Sequence, residues 1–144
     1  MIRRQDIIAS ARSWVGTPYH HQGSCQGVGA DCLGLVRGVW RTLYGTEAET
    51  PPAYSRDWAE ASGTETLIDA ATRHLLPIAP GEARGGDVVV FRFRAGTPAK
   101  HVGILLARDV LVHAMEGGPA VEIALTPWWR RRIVAAFAFP GASD

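Results

Sequence analysis

Gly29-Ala30-Asp31-Cys32-Leu33-Gly34-Leu35-Val36 is the stretch on which the reading of this chain turns. A glycine-containing loop ends at an acid, a cysteine follows, and an apolar run begins at once. Asp31 is a helix-capping type, because its carboxylate can accept hydrogen bonds from first-turn amides that lack partners inside the helix. Counting on from it, Leu33, Val36, Trp40 and Leu43 recur at three- and four-residue steps, which predicts one helix face ending near Tyr44-Gly45. Cys32 then falls at the first helical position. There the helix dipole favours an anion and is expected to lower the thiol pKa below its free value of about 8.5. Free cysteine is also among the most buried residue types. The stretch alone leaves a reactive and a structural thiol equally open.

Upstream, residues 4 to 15 read as a helix with Ile7, Ile8, Ala11, Trp14 and Val15 on one stripe and Gly16 closing it. Thr17-Pro18-Tyr19 is an extended exit, and residues 20 to 29 form a polar, glycine-rich loop of the kind that shapes binding sites. His20, His21, Cys25 and Cys32 offer four potential zinc ligands, but six residues separate the cysteines and there is no second cysteine pair, so a structural zinc site is disfavoured. The two histidines are instead expected to rim a cleft beside Tyr19. Downstream, Thr50-Pro51-Pro52-Ala53-Tyr54 reads as a loop, and Thr64 to Leu76 as a helix with Leu67, Ile68, Ala71 and Leu75 inward, stopped by Pro77.

The remainder alternates like strands: Asp87 to Phe93, His101 to Ala107, Val110 to Met115, Ala120 to Leu125 and Ile133 to Phe139. Helices followed by a run of strands predict an α+β domain with an antiparallel sheet. A nucleophilic cysteine needs a base, and the base needs a third group to orient it. His101 and His113 are the candidates. Their numbers sum to 214, so an odd-length hairpin loop puts both imidazoles on one face, whereas a two-residue loop at Arg108-Asp109 puts them on opposite faces. With no Asn-Gly or Asp-Gly to favour the short turn, an odd loop is expected.

The 144 residues suit one domain spanning 1–144. A hydrophobic share of 47% with 20% charged residues is that of an ordinary globular protein. A net charge of +1 gives no support for nucleic acid or an anionic membrane as a partner. No apolar run reaches membrane-spanning length, and the N-terminal stretch lacks the form of a signal peptide, so synthesis in the cytoplasm is expected. Trp128-Trp129-Arg130-Arg131-Arg132 could be a docking patch; the simpler expectation is one tryptophan in the core, the other at its rim, and solvated arginines.

Several motifs, in order, resemble one known family. Asp31-Cys32-Leu33-Gly34-Leu35-Val36 resembles the Asp-Cys-Ser-Gly-Leu-Val signature of the NlpC family of papain-like cysteine peptidases. Gly16-Thr17-Pro18-Tyr19, with Tyr19 thirteen residues ahead of the cysteine, resembles that family's Gly-Thr-Pro-Tyr. Gly86-Asp87-Val88, His101-Val102-Gly103-Ile104 and Val112-His113-Ala114 are similar to its later motifs. Leucine after the cysteine, continuing Val36-Arg37-Gly38-Val39-Trp40-Arg41, resembles the branch found in phage tails and phage-like gene transfer particles.

The resemblance implies a papain-like fold with N-terminal helices packed on the sheet. It implies Cys32 as nucleophile, His101 as base, His113 as the orienting group, and Tyr19 and Asp31 as substrate-binding residues. It further implies peptidoglycan stem peptides as substrate, cut between D-γ-glutamate and the diamino acid, with no metal or organic cofactor. Its implied partners are tail proteins of a phage-like particle that acts on the cell wall. Leu33 departs from the family's usual serine, a residue associated with substrate contacts.

Overall fold

The computed structural model describes residues 2–52 and 65–144. In chain order the elements are β1 (Ile2–Arg3), α1 (Arg4–Arg12), β2 (Ser24–Cys25), β3 (Gly29–Ala30), α2 (Cys32–Tyr44), α3 (Thr66–His74), β4 (Leu76–Ile78), β5 (Val88–Phe91), β6 (His101–Ala107), β7 (Val110–His113), β8 (Val121–Ala124), α4 (Pro127–Arg130), β9 (Ile133–Ala138) and β10 (Ala142–Ser143). Six strands form one sheet in the order β4-β9-β5-β6-β7-β8, with every pair antiparallel. The α+β class with helices on an antiparallel sheet is thus the observed one. Ala53, Tyr54 and Thr64, which entered the expected loop and helix, lie outside the described residues.

Alternation divides the sheet's side chains between two cores. Val88, Val90, Val102, Ile104 and Val112 pack with Ile7, Ala11, Leu35 and Val39 of α1 and α2. Val89, Phe91, Leu105 and Leu111 point the other way, onto Leu125, Ala136 and the half-buried Trp129. Asp87, 1% exposed, ties α1 to the start of β5: it accepts from Arg4 Nη1 at 2.7 Å and from the Arg84 amide at 3.0 Å.

Two expected helices are placed differently in detail. The first ends at Arg12, and Trp14 and Val15 continue as turns bonded to Ala11 and Arg12, which leaves Val15 exposed rather than inward. In α2 the buried face is centred on Gly34, Leu35, Val36, Gly38 and Val39, while Leu33, Trp40 and Leu43 are half-buried. The reason is close approach. A Cβ on Gly34 would lie 1.7 Å from the Gly23 carbonyl oxygen, and one on Gly38 1.9 Å from the Trp14 indole. These glycines, absent from an apolar count, let the loop and α1 press directly on the helix. Leu33, Val36 and Trp40 instead line an apolar cavity of about 100 Å³ shared with Leu67 and Ala71 of α3.

The hairpin between β6 and β7 corrects the turn but keeps its consequence. Arg108 and Asp109 do form a two-residue turn, with Ala107 opposite Val110. One residue earlier the register shifts, so that Leu105 pairs with Leu111 and Ile104 with Val112. This bulge adds a residue to β6 and restores the parity that the short turn removes. His101 and His113 therefore share a face.

Candidate active site

The start of α2 is built as its residues dictate. Asp31 has extended backbone (φ −97°, ψ −174°), and its Oδ1 accepts from the Gly34 amide at 2.7 Å. Its Oδ2 accepts from the Gln22 amide, also at 2.7 Å. The buried carboxylate thus joins the glycine-rich loop to the helix. Tyr19 is half-buried and runs beside Ala30 in an isolated parallel bridge, next to Asp31 and Cys32. Ser24 reinforces the same loop: its hydroxyl donates to the Gly34 carbonyl at 2.6 Å and accepts from Arg41 at 2.9 Å.

Cys32 is half-buried, and its thiol donates to the Lys100 carbonyl at 3.9 Å, the peptide just ahead of His101. Burial pushes the thiol up from 9.0 to about 12, and the Asp31 charge pushes the same way; backbone groups of Val102, Leu33 and Cys32 itself oppose them. The expected lowering by the helix start is overturned. Desolvation and a neighbouring carboxylate outweigh the dipole, because both disfavour a sulfur anion at short range.

His101 and His113, each 4% exposed, are joined by a 2.7 Å hydrogen bond between His101 Nε2 and His113 Nδ1. The bond occupies Nε2 of His101 and leaves Nδ1 as its other ring nitrogen. Burial first, then the proximity of His113, pushes His101 down from 6.5 to about 3, and burial pushes His113 down to about 4. Both rings are therefore held neutral, and they share one proton along this bond, which either of the two facing nitrogens can carry. Three aromatic rings surround His101, with centroid distances of 5.5 Å to Phe93, 5.7 Å to Phe91 and 6.0 Å to Trp129.

The structure places the Cys32 thiol against the peptide that precedes His101, pairs His101 with His113, and sets Asp31 next to the thiol, with Tyr19 bridged to Ala30 in the adjoining backbone. His20 and His21 lie on the loop, where His20 Nδ1 is 3.0 Å from the His21 carbonyl. Among the described residues, no group of three or more His, Cys, Asp or Glu is placed to hold a metal ion. Of the tryptophan pair, one turns inward and the other lies at the rim, as expected; the contact of the inner one, Trp129, with the histidines is the part the sequence left open. Trp128 is 44% exposed and carries the Arg132 guanidinium 3.7 Å over its ring, whereas Trp129 turns inward onto both histidines. Thr126-Pro127, an extended residue before a proline at the first helical position, was the available signal for the short α4 that orients it.

Comparison with known proteins is consistent along most of the chain. The profile of the NlpC/P60 family matches residues 16–137. The chain is similar to murein DD-endopeptidase MepS/murein LD-carboxypeptidase of Escherichia coli (strain K12), 28% identical over 127 residues that make up 88% of this chain and 57% of that protein. It is also similar to a gamma-DL-glutamyl hydrolase of Bacillus subtilis (strain 168), 27% identical over 108 residues, 75% of this chain and 22% of the other. The chain therefore spans little more than half the length of the first relative and about a fifth of the second. Among solved structures, the NlpC/p60 domain of the peptidoglycan hydrolase SagA superposes with a TM-score of 0.69 at 20% identity, covering 94% of this chain and 98% of that domain.

Proposed function

The chain belongs to the NlpC/P60 family, and on that premise we propose that it is a cysteine endopeptidase acting on peptidoglycan stem peptides. Cys32 is the nucleophile, His101 its base and His113 the group that orients His101. The observation that carries this reading is the buried 2.7 Å bond between His101 and His113, placed one residue beyond the carbonyl on which the Cys32 thiol rests. Neutral imidazoles and a neutral thiol define the resting state, so proton transfer accompanies attack rather than preceding it.

The Cys32 thiol turns from the Lys100 carbonyl to Nδ1 of His101 and gives up its proton as sulfur adds to the substrate carbonyl. The backbone amide of Cys32 at the start of α2 and the Tyr19 hydroxyl stabilise the oxyanion. Collapse breaks the C–N bond, and His101 returns the proton to the leaving amine. Water then attacks the thioester with His101 taking its proton, releasing a carboxylate and restoring the thiol. Throughout, Nε2–H of His101 keeps donating to His113, so the developing imidazolium holds its orientation. The hydrogen bonds from the Gln22 and Gly34 amides to Asp31 fix the helix start that carries the thiol, and the negative charge of that carboxylate favours a substrate amino group.

The bond proposed is that between D-γ-glutamate and the diamino acid, supported by the similarity to a gamma-DL-glutamyl hydrolase. The similarity to a DD-endopeptidase makes the D,D cross-link the competing bond. Leu33 in place of serine, and the run Val36-Arg37-Gly38-Val39-Trp40-Arg41, support a place in a phage or phage-like tail that opens the wall locally. A catalytically silent tail-tip protein is the second reading. The observation favouring it is the thiol itself, bonded to a backbone carbonyl and pushed up to about 12.

Mass spectrometry of purified muropeptides incubated with the protein and with Cys32→Ala decides between these. Fragments cut at the D-γ-glutamyl bond, absent with the variant, are expected. Release only of cross-linked dimers into monomers reassigns the bond. Unchanged muropeptides with both proteins leave the silent reading standing.

A further inference from the structure

The short helix α4 brings one large side chain under the histidine pair, on the sheet face opposite α2. Trp129 meets His113 at 5.2 Å with the rings at 85°, and His101 at 6.0 Å with the rings at 40°. The same indole packs edge-on against Phe91 at 5.2 Å and Phe93 at 6.0 Å, the two rings that flank His101. Trp129 is thus the one ring among the described residues that touches both imidazoles and both phenylalanines. Its placement has a clear local cause. Pro127 starts the turn, and the Arg130, Arg131 and Arg132 amides bond to the carbonyls of Thr126, Pro127 and Trp129, which locks the turn before β9 begins.

We propose that Trp129 is a positioning residue for the histidine pair: its indole closes an aromatic box that keeps water from the His101–His113 hydrogen bond and holds Nδ1 of His101 toward Cys32. This rests on the catalytic reading above, although the box itself does not. Two physical effects support the assignment. Water reaching the bond would offer each imidazole nitrogen a competing partner and free the ring to rotate, since a shielded hydrogen bond is electrostatically stronger than a wet one. The ring centroids of Phe91, Phe93 and Trp129 also lie within about 6 Å of His101, which takes solvent from around it and disfavours its cationic form at rest. The charged and titratable groups nearest the box are His113 from β7 and Arg132, whose guanidinium covers Trp128 next to Trp129; Lys100 precedes His101, and its carbonyl meets the Cys32 thiol.

The test is titration of the two imidazoles by NMR in Trp129→Ala, Trp129→Leu and Trp129→Phe, with Trp128→Ala as the control. In the wild-type chain both rings are expected to titrate below about pH 5, and the shared imidazole N–H to give a slowly exchanging downfield resonance. Opening the box with Trp129→Ala is expected to raise both midpoints by about one unit or more toward 6.5 and to broaden that resonance. Trp129→Phe restores the low midpoints, and Trp128→Ala leaves them unchanged. Trp129→Leu fills much of the volume without a ring. It is expected to shift the midpoints in the same direction, and it serves where the alanine variant does not fold. A folded Trp129→Ala or Trp129→Leu with wild-type midpoints and N–H resonance overturns the assignment. Peptidoglycan cleavage is read separately: shifted imidazoles in a chain that cleaves nothing preserve the box and defeat the catalytic reading, and active chains with unshifted imidazoles do the reverse.

Discussion

At Cys32 two influences compete. The amide end of α2 favours an anion there, whereas burial beside the Asp31 carboxylate disfavours it, and the thiol is held at about 12. A rise from 9.0 leaves roughly a thousandth of the thiolate that an unshifted thiol would carry near neutral pH. Iodoacetamide at about pH 7.5 is therefore expected to modify the exposed Cys25 first and Cys32 far more slowly. Peptide mass spectrometry over a time course reads the two rates directly, and equal rates would contradict the buried neutral thiol. The places of the candidate residues were legible from sequence, Cys32 at a helix start after a capping acid and His101 and His113 on one face of two strands, whereas their roles came only from the family resemblance. The protonation state was not legible, because desolvation depends on which atoms end up around the sulfur, and no local pattern encodes that.

At the scale of elements, Asp31 bears more than a helix cap. It holds the amides of Gln22 and Gly34 at once, so replacing it removes partners from a loop and from a helix start together. Asp31→Ala is expected to cost about 1–3 kcal/mol, the upper part of the range for a cap plus one further buried amide. Urea unfolding of the variant measures it, and a loss below 0.5 kcal/mol, the low end for a cap alone, would show the loop bond to be idle. The β6–β7 hairpin shows what pattern reading resolves and what it does not. Parity correctly placed the histidines on one face, yet it assigned the cause to loop length when the cause is a bulge beside Leu106. A bulge leaves no mark in the alternation of a strand buried on both sides, since every residue from Val102 to Leu106 is apolar or glycine. The stripe on α2 failed for a related reason: Gly34 and Gly38 count as blanks in an apolar pattern but are the points of closest packing.

At the scale of the whole molecule, the two buried imidazoles link stability to pH. Their folded-state values, about 3 and about 4, lie below the ordinary 6.5, so between these limits the unfolded chain binds more protons than the folded one. Stability is fully present above about pH 6.5 and is lost as pH falls, with each histidine contributing a slope of about 1.4 kcal/mol per pH unit until its folded value is reached. Urea unfolding from about pH 7 down to about pH 4.5 is expected to show this slope, and His113→Gln to remove part of it. The two-layer arrangement carries a further consequence. The sulfur rides on α2 against the Lys100 carbonyl, while the imidazoles are carried by the sheet that α2 packs against. The seat of α2 on that sheet is set by the side chains of Leu35, Val39, Val102 and Ile104. The hydrophobic interior works as a caliper for the reaction, and a trimmed methyl group deep in it would be felt as a change in reach between two atoms it never touches.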